Sequence, residues 1–171
     1  MLTIAEPPVE AVITKAMDNM RAYYADDEQL TCVSANGITP SEKSITPQSK
    51  QCAACPKNSW GSRITPNGKR AKACTEYAAL KLLVLDEPSH VLMLRVPSTS
   101  LRSFRTYEKS LSSRGYGLKS VVTFINVQHL DNYDLLTFRL VRFLNDLQLN
   151  SIKHLSMRSY SRFEKTDGYI H

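Results

Sequence analysis

The segment that decides the fold is VLMLRVPSTSLRSFRTYEKSLSSRG, from Val91 to Gly115. Its first six residues form an apolar run with the length of a short buried strand. After Pro97, Ser100 is a suitable N-cap for a helix, and Gly115 is a suitable residue for the end of that helix. The apolar residues between them recur at helical spacing, at Leu101, Phe104, Tyr107 and Leu111. The segment therefore predicts one strand followed by one helix.

Two more strands are predicted downstream of this helix. The stretches KSVVTFINV, Lys119 to Val127, and LLTFRLVRF, Leu135 to Phe143, are rich in β-branched and aromatic residues. The polar stretch QHLDNYD between them predicts a turn. Residues 91–143 thus form a series of strand, helix, strand and strand, which fits the helix and the last three strands of an OB-fold, a five-stranded barrel. A plain α+β sandwich explains the same series and stays open as an alternative.

The rest of the chain predicts weaker elements. VEAVIT, Val9 to Thr14, predicts a strand, and LTCVS further on offers a second one. Apolar positions at roughly helical spacing predict a helix or irregular chain over residues 15–30 and a helix in TEYAALKLLVL, Thr75 to Leu85. A last helix is predicted from Asn145, with apolar positions at Leu147, Leu149, Ile152, Leu155 and Met157. We expect a single mainly β (α+β) domain over residues 1–171, with an OB-like barrel and flanking helices.

The four cysteines have the spacing C-x19-C-x2-C-x18-C, at Cys32, Cys52, Cys55 and Cys74. A C-x2-C turn places two sulfurs at a suitable separation to share one zinc ion, which takes four thiolates in a tetrahedron. The segment between the outer cysteines is rich in Ser, Thr, Pro, Asn and Gly, so a metal would supply folding energy that apolar burial cannot. We predict a zinc-ribbon-like insertion over residues 32–74 that holds a structural zinc ion with no open position for catalysis.

Other uses of the cysteines remain alternatives. CAACPK is similar to a redox C-x2-C, although the strand and helix that flank such a motif are not predicted around it. An iron–sulfur cluster also takes four thiolates, and only the basic polar surroundings disfavour it. Four unrelated buried cysteines would leave a loop of about forty residues with nothing to organise it. Disulfides are disfavoured because the chain has no pattern of a signal peptide and no membrane-length apolar run, which predicts a cytosolic protein.

The charge of the chain is unevenly distributed. The net charge is +6 over 171 residues, but residues 1–50 carry four Lys or Arg against seven Asp or Glu. Residues 51–171 carry the remaining eighteen basic and nine acidic residues, and this basic part begins where the cysteine cluster begins. Such asymmetry is expected of a chain that binds a polyanion such as nucleic acid, and equally of a surface with scattered, solvated Lys and Arg.

The cysteine segment and the strands after it resemble a known family. The elements CPKNSWGS and GKRAKAC, followed by the strands VLMLRV, VVTFINV and LLTFRLV, resemble bacteriophage single-stranded-DNA-binding proteins with a four-cysteine zinc-binding insertion. The resemblance covers about residues 30–145. It implies an OB-like core and single-stranded DNA binding in phage replication or recombination, in the host cytoplasm. The chain departs from the family in a short N-terminal region and in the lack of an acidic C-terminal tail.

Binding of single strands requires cations along the phosphates and aromatic faces on which bases stack. The candidate contact residues are Lys57, Trp60, Arg63, Lys69, Arg70, Lys72, Arg102, Arg105, Phe124, Phe138 and Arg139. Trp60 either stacks on a base or caps the apolar centre of the zinc module. Only one face of each strand can meet DNA, and the sequence does not decide between the face of Phe124 and the opposite one.

No catalytic constellation is visible in the sequence. The four histidines, His90, His129, His154 and His171, have no acidic partner at a telling spacing, and there is no glycine-rich phosphate loop. We expect a non-enzymatic, sequence-nonspecific single-stranded-DNA-binding protein with structural zinc and no membrane segment. Replication or recombination proteins are expected as further partners, and an oligomer is compatible with the sequence. The alternatives are a zinc-ribbon module that regulates or grips a protein partner, and an accessory subunit of a zinc-dependent nuclease.

Overall fold

The computed structural model describes residues 8–25, 29–85, 91–131 and 133–153. Eight strands lie in this part of the chain: β1 (Val9–Tyr24), β2 (Leu30–Ser34), β3 (Arg63–Ile64), β4 (Arg70–Ala71), β5 (Cys74–Val84), β6 (Val91–Val96), β7 (Val121–Leu130) and β8 (Tyr133–Phe143). The helices are α1 (Leu101–Ser112), the 3-10 turns Pro56–Asn58 and Leu118–Ser120, and α2, which covers residues 146–153. None of the helices described is long and apolar enough to cross a membrane.

Six of the strands form one antiparallel sheet. Its strand order is β6-β5-β1-β7-β8, β2 also pairs with β1, and the short strands β3 and β4 pair separately. Within the described residues the sheet does not close into a barrel. The protein is therefore mainly β with a smaller helical part, as the sequence predicts.

The series predicted for residues 91–143 is confirmed. β6, α1, β7 and β8 follow one another in that order. α1 begins directly after Ser100 and ends at Ser112, and the turn that follows it contains Gly115, whose φ of 80° is left-handed. The N–H of Tyr116 donates to the carbonyl of Leu111 (3.1 Å), which satisfies a carbonyl of the last helical turn. The polar turn is shorter than expected, because Leu130 already pairs with Tyr133.

The helix or irregular chain predicted for residues 15–30 is wrong. Residues 15–24 form the second half of β1 and Leu30 begins β2, with Tyr23 opposite Cys32 in the register. Met20 and Ala22 are buried two residues apart, and they pack with Tyr77. Burial thus follows the two-residue period of a strand and not the helical spacing. Packing against the neighbouring strand outweighs the local propensity of these residues for a helix.

The helix predicted for Thr75–Leu85 is also wrong, since this stretch is β5. β5 lies between β6 and β1, and most of its residues are buried, including Lys81. A central strand that is covered on both faces has a nearly continuous apolar run, and a short run of this kind cannot be distinguished from a buried helix by periodicity.

The chain divides into two compact units. The first contains the residues up to Ala16, Leu80–Leu94 and the residues from Arg102 onwards, and the second contains Met17–Ala79 and Arg95–Leu101. The predicted insertion over residues 32–74 lies within the second unit. β1 and β5 each contribute residues to both units.

The core of the first unit joins the sheet to α2. Its buried members are Val12, Leu83, Val122, Leu144 and Ile152. α2 is stabilised by a reciprocal cap, in which the N–H of Gln148 donates to Oδ1 of Asn145 (2.9 Å) and Oε1 of Gln148 accepts from the N–H of Asn145 (3.3 Å). The helix predicted from Asn145 is confirmed over residues 146–153, although Leu147 is exposed. The predicted positions Leu155 and Met157 lie outside the described residues.

α1 packs on the sheet through its apolar stripe and one buried hydrogen bond. Phe104 contacts Phe138 edge to face, with 5.4 Å between ring centroids. The hydroxyls of Tyr107 and Thr123 are 2.7 Å apart, and both residues are buried. Burial raises the pKa of the Tyr107 hydroxyl above its usual range, and the hydrogen bond with Thr123 opposes this effect.

We expect Tyr107→Phe to lower the free energy of unfolding by about 1–3 kcal/mol, because the Thr123 hydroxyl loses its partner in a dry site. The double variant Tyr107→Phe/Thr123→Val should recover most of this loss. Since the pKa of Tyr107 is raised in the folded state, its contribution should be complete at neutral pH and decline as the pH rises above about 10. Urea unfolding measures each value, and a fully stable single variant would contradict the account.

Candidate metal centre and nucleic-acid surface

All four cysteines of the second unit line one small cavity. Cys32 comes from β2, Cys74 begins β5, and Cys52 and Cys55 lie in the loop that leads into the 3-10 turn. The cavity has a volume of about 10 Å³, which is about the space that one water molecule needs. All four thiols are free, and only Cys32 is more than marginally exposed. The predicted set is therefore brought to one place from three separate stretches of chain.

The cavity meets the requirements of a metal ion in ligand number and type. Four sulfur ligands are the set that a structural zinc ion takes. The side chains are not drawn onto a common centre: in the described part of the chain, no three His, Cys, Asp or Glu residues are already arranged to hold a metal. Metal binding would therefore need the four thiols, which already line one cavity, to reorient around a common centre.

The environment of Cys74 shows what a metal would have to overcome. Burial raises the pKa of this thiol to about 11, and the neighbouring thiols Cys55, Cys52 and Cys32 add to the increase. The positive charge of Arg21 acts in the opposite direction. Burial thus disfavours the thiolate form of Cys74, and a divalent metal is the kind of charge that would stabilise it.

The register of β1 and β2 explains which side chains face the cavity. Tyr23 lies opposite Cys32, and Arg21 lies opposite Ser34. Positions two apart on paired strands share a face, so these four side chains point the same way. All four line the cavity.

The loop after β2 is held by hydrogen bonds to the free edge of that strand. The N–H groups of Ser41 and Thr46 donate to the carbonyls of Val33 (2.7 Å) and Thr31 (3.0 Å). The Ser44 hydroxyl accepts from the N–H of Val33 (3.0 Å) and lies 3.8 Å from the sulfur of Cys32. These bonds help to organise a stretch with few apolar residues, in addition to the metal that the sequence predicts.

Asn58 connects three parts of the site. Its amide nitrogen donates to the carbonyl of Cys52 (2.9 Å), and its oxygen accepts from Nη1 of Arg21 (2.9 Å) and from Nζ of Lys72 (3.1 Å). The asparagine of the CPKNSWGS element therefore has a structural role. It fixes the carbonyl of Cys52, one candidate ligand, to β1 and to the basic segment, which consists of residues 57–73.

The two small residues after Trp60 also have structural roles. Gly61 has a φ of +87°, and a Cβ at this position would lie 2.5 Å from Nε of Arg70. The Ser62 hydroxyl donates to the carbonyl of Lys57 (2.8 Å) and accepts from the N–H of Ala73 (2.9 Å). Gly61 thus makes room for the Arg70 guanidinium, and Ser62 joins the two ends of the basic segment.

The five predicted cations of the insertion differ in their exposure and in the contacts that their side chains make. Arg63 and Lys69 are exposed at the β3–β4 hairpin. Nζ of Lys57 lies 4.8 Å from the centroid of the Tyr23 ring. The Arg70 guanidinium lies against Gly61, and Nζ of Lys72 donates to Oδ1 of Asn58. Both residues are nevertheless exposed to solvent. Of the five cations, Arg63 and Lys69 are exposed on the β3–β4 hairpin, and the other three also make contacts within the loop.

Trp60 is exposed by 67%, beside this basic hairpin. Its indole therefore does not cap the zinc module, which was one of the two roles expected for it. Exposure leaves a large aromatic face available to a ligand.

The two predicted phenylalanines of the first unit lie on opposite faces of the sheet. Phe138 pairs with Ile125, which is fully buried, and its ring contacts Phe104 and Tyr107 of α1. Phe124 pairs with Arg139, whose guanidinium lies 5.0 Å from the ring centroid of Phe124. Phe138 thus belongs to the packing of α1, whereas Phe124 lies on the opposite face, which it shares with Val122 of the core that includes Ile152 of α2.

The structure does not bring the predicted helix cations to this face. Arg102 and Arg105 are on α1, which packs on the side of Phe138. They are therefore separated by the sheet from Phe124 and Arg139. One further expectation is wrong, because His129 has an acidic partner: its Nδ1 lies 2.7 Å from Oδ1 of Asp134, across the exposed end of the β7–β8 hairpin. His90, His154 and His171 lie outside the described residues.

A second aromatic and cationic cluster was missed by sequence reasoning. The Arg95 guanidinium lies 4.1 Å from the ring centroid of Tyr77 and donates from Nη1 to the hydroxyl of Tyr24 (2.7 Å). Arg95 is exposed, and so is Tyr24, by 37%. The signal in the sequence was Arg95 itself, a lone charge in the apolar strand VLMLRV. Tyr24 and Tyr77 could not be paired with it while their segments were predicted as helical.

Comparison with protein-family models, with curated proteins and with solved structures found no match for this chain.

Gly61→Ala should loosen the basic loop more than Gly68→Ala. Both glycines have positive φ, so each alanine costs about 1–2 kcal/mol of backbone strain. Only the Cβ at position 61 meets another group, the Arg70 guanidinium, because a Cβ at position 68 has open space around it. Limited trypsin digestion should therefore cleave after Arg70 faster in Gly61→Ala than in Gly68→Ala. Equal rates would show that Arg70 is not held by this contact.

Proposed function

We propose that this chain is a sequence-nonspecific single-stranded-DNA-binding protein of phage type, with a structural zinc ion. It acts in DNA replication or recombination in the cytoplasm of the host cell, with proteins of those processes as further partners. The observation that carries the proposal is the position of the basic, thiol-rich segment. It connects β1 to β5 and exposes Trp60 beside Arg63 and Lys69.

The strand order supports an OB-fold for the sheet. When β1, β5 and β6 are taken as the first three strands and β7 and β8 as the last two, the order is that of an OB barrel opened between its third and fifth strands. α1 lies between β6 and β7, where an OB-fold has its helix. The second strand is then β5, and the basic segment forms the connection between the first and second strands. This connection and the face of the second and third strands are the places where OB-folds bind oligonucleotides.

Zinc is proposed from the ligand set. Four thiols at one cavity suit a closed structural site, in which Cys32, Cys52, Cys55 and Cys74 would hold the ion. The metal would supply charge to stabilise the thiolates and would fix both ends of the basic segment. Metal analysis should find one zinc per chain, and thiol titration should find four protected cysteines. A metal-free protein with four reactive thiols would contradict the proposed site.

Mobility-shift titration on single-stranded and double-stranded oligonucleotides tests the function directly. The protein should prefer single strands, and the logarithm of its affinity should fall with the logarithm of salt by roughly 0.7 per phosphate neutralised. The variant Arg63→Ala/Lys69→Ala should reduce this slope by about 0.7 per cation removed. Arg102→Ala is the matched control, because Arg102 is an exposed cation on α1 and not part of the β3–β4 hairpin. Absence of binding to either substrate would overturn the proposal.

Trp60→Ala should weaken binding to single strands by roughly 5- to 150-fold. Stacking of one base on an aromatic ring contributes about 1–3 kcal/mol, and Trp60 exposes most of its surface. Since the indole is not packed in a core, the free energy of unfolding should stay within about 0.5 kcal/mol of wild type. Unchanged affinity would remove Trp60 from the binding surface.

Arg95→Ala and Tyr24→Phe should separate stacking from hydrogen bonding at the second cluster. Arg95→Ala removes a guanidinium that is stacked on Tyr77 and whose outer side can meet a base, so we expect affinity for single strands to fall severalfold. Tyr24→Phe keeps the ring and loses only the hydrogen bond from Arg95, and it should have the smaller effect. Equal and large effects would indicate that the hydrogen bond, and not the stacked surface, matters.

One observation favours a second candidate, a zinc-ribbon module that grips a protein partner. Ile38, Ile45 and Ile64 are exposed by 67%, 65% and 59% on the loops of the second unit. Exposed apolar side chains on one small module are typical of a protein-binding surface. A metal-loaded protein that fails to bind DNA in the mobility-shift assay would favour this candidate.

A further inference from the structure

One side chain at the thiol cavity has a donor with no acceptor. Nη1 of Arg21 donates to Oδ1 of Asn58 (2.9 Å), and Nη2 lies 3.6 Å from Oε2 of Glu76. Nε of the same guanidinium is buried and has no hydrogen-bond partner, the one such buried side-chain nitrogen or oxygen in the described part of the chain. Leaving a buried donor of a charged group unpaired costs more than about 1–3 kcal/mol, so a native protein provides an acceptor for it.

Three other polar side chains at the cavity already have partners. The Ser34 hydroxyl donates to the carbonyl of Thr39 (2.6 Å) and accepts from the N–H of Gly37 (2.9 Å). The Gln48 amide donates to the carbonyl of Thr46 (2.9 Å), and the Ser49 hydroxyl accepts from the N–H of Gln51 (3.4 Å). Tyr23, which has a hydroxyl, also lines the cavity, but the sulfurs of the four cysteines are the acceptors that a bound metal would convert to charged ones. A protonated thiol is a weak acceptor, whereas a thiolate is a strong one.

The charge of a four-thiolate centre points to the same arrangement. Four thiolates and one divalent ion have a net charge of −2, and this charge would lie inside a loop that is proposed to approach phosphates. Arg21 lines the cavity and carries a positive charge. A guanidinium at this place offsets part of the negative charge, and one of its N–H groups is free for a sulfur.

We infer that Arg21 is a positioning residue for the metal centre, whose Nε–H donates to a cysteine thiolate when the metal is bound. Arg21 thereby joins the metal to Asn58, which holds the carbonyl of Cys52. Outer-sphere donors of this kind orient ligands and typically change metal affinity by about 10- to 100-fold. The inference rests on the zinc site of the proposed function.

Cobalt substitution tests this role without any measurement of DNA binding. The full chain is titrated with Co²⁺ and then with Zn²⁺ in competition with a chelator, and the thiolate-to-cobalt charge-transfer band is recorded. Arg21→Met should lower the affinity for both metals by about 10- to 100-fold and shift the band, because a sulfur loses its hydrogen bond. Arg21→Lys keeps a positive charge but lacks the Nε donor, so it should recover only part of the affinity. Glu76→Gln is the matched control, since it removes the ion pair at Nη2 and leaves Nε in place.

The outcomes separate this inference from the zinc proposal. A wild-type chain that binds neither metal overturns both. A wild-type chain that binds metal while Arg21→Met and Arg21→Lys bind it equally well, with an unchanged band, overturns the role of Arg21 alone. Equal losses in Arg21→Met and Glu76→Gln would also overturn it, because the ion pair with β5 would then explain the effect. Arg21→Lys keeps the test decisive if Arg21→Met does not fold.

Discussion

Four thiols from three separate stretches of the chain face one small cavity, and the segment between β2 and β5 depends on that convergence. The segment has few buried apolar residues, so its conformation is held by polar contacts that lead back to the cysteines. Asn58 holds the carbonyl of Cys52, and Ser44 contacts both Val33 and Cys32. A metal at the cavity would connect these contacts into one unit. The same contacts determine the position of the exposed hairpin that carries Arg63 and Lys69.

Most residues of the sequence element CPKNSWGS have a structural role. Asn58, Gly61 and Ser62 each have a specific partner within the loop, and Pro56 begins the 3-10 turn. Trp60 differs from them, because it stands exposed in the middle of the element. An exposed tryptophan surrounded by residues that fix its backbone is a pre-ordered contact, which loses little conformational entropy when it meets a ligand. This contrast supports a binding role for Trp60 better than its presence in the sequence could.

The parts of the fold that the sequence predicts well have strong local signals. α1 has an apolar stripe that ends at a glycine, and β7 and β8 have dense β-branched and aromatic residues. β5 and the second half of β1 were missed because their conformation is decided by neighbouring strands. Ala, Leu and Lys in β5 favour a helix locally, yet burial between β6 and β1 makes them a strand. The candidate metal ligands could be predicted because the spacing of the cysteines can be read from the sequence. The cluster of Tyr24, Tyr77 and Arg95 could not be predicted, because its members come from three strands and meet only in the fold.

The measurement that tests the central claim most directly is a fluorescence titration of Trp60, the only tryptophan in the chain. The emission reports on the proposed contact itself, and the protein can be compared with and without its metal. If a metal-held loop binds single-stranded DNA, an oligonucleotide should quench the metal-loaded protein saturably at low salt and should quench the chelated protein far less. Identical quenching in both forms would contradict a role for the metal in shaping the surface. Absence of quenching in either form would contradict the contact.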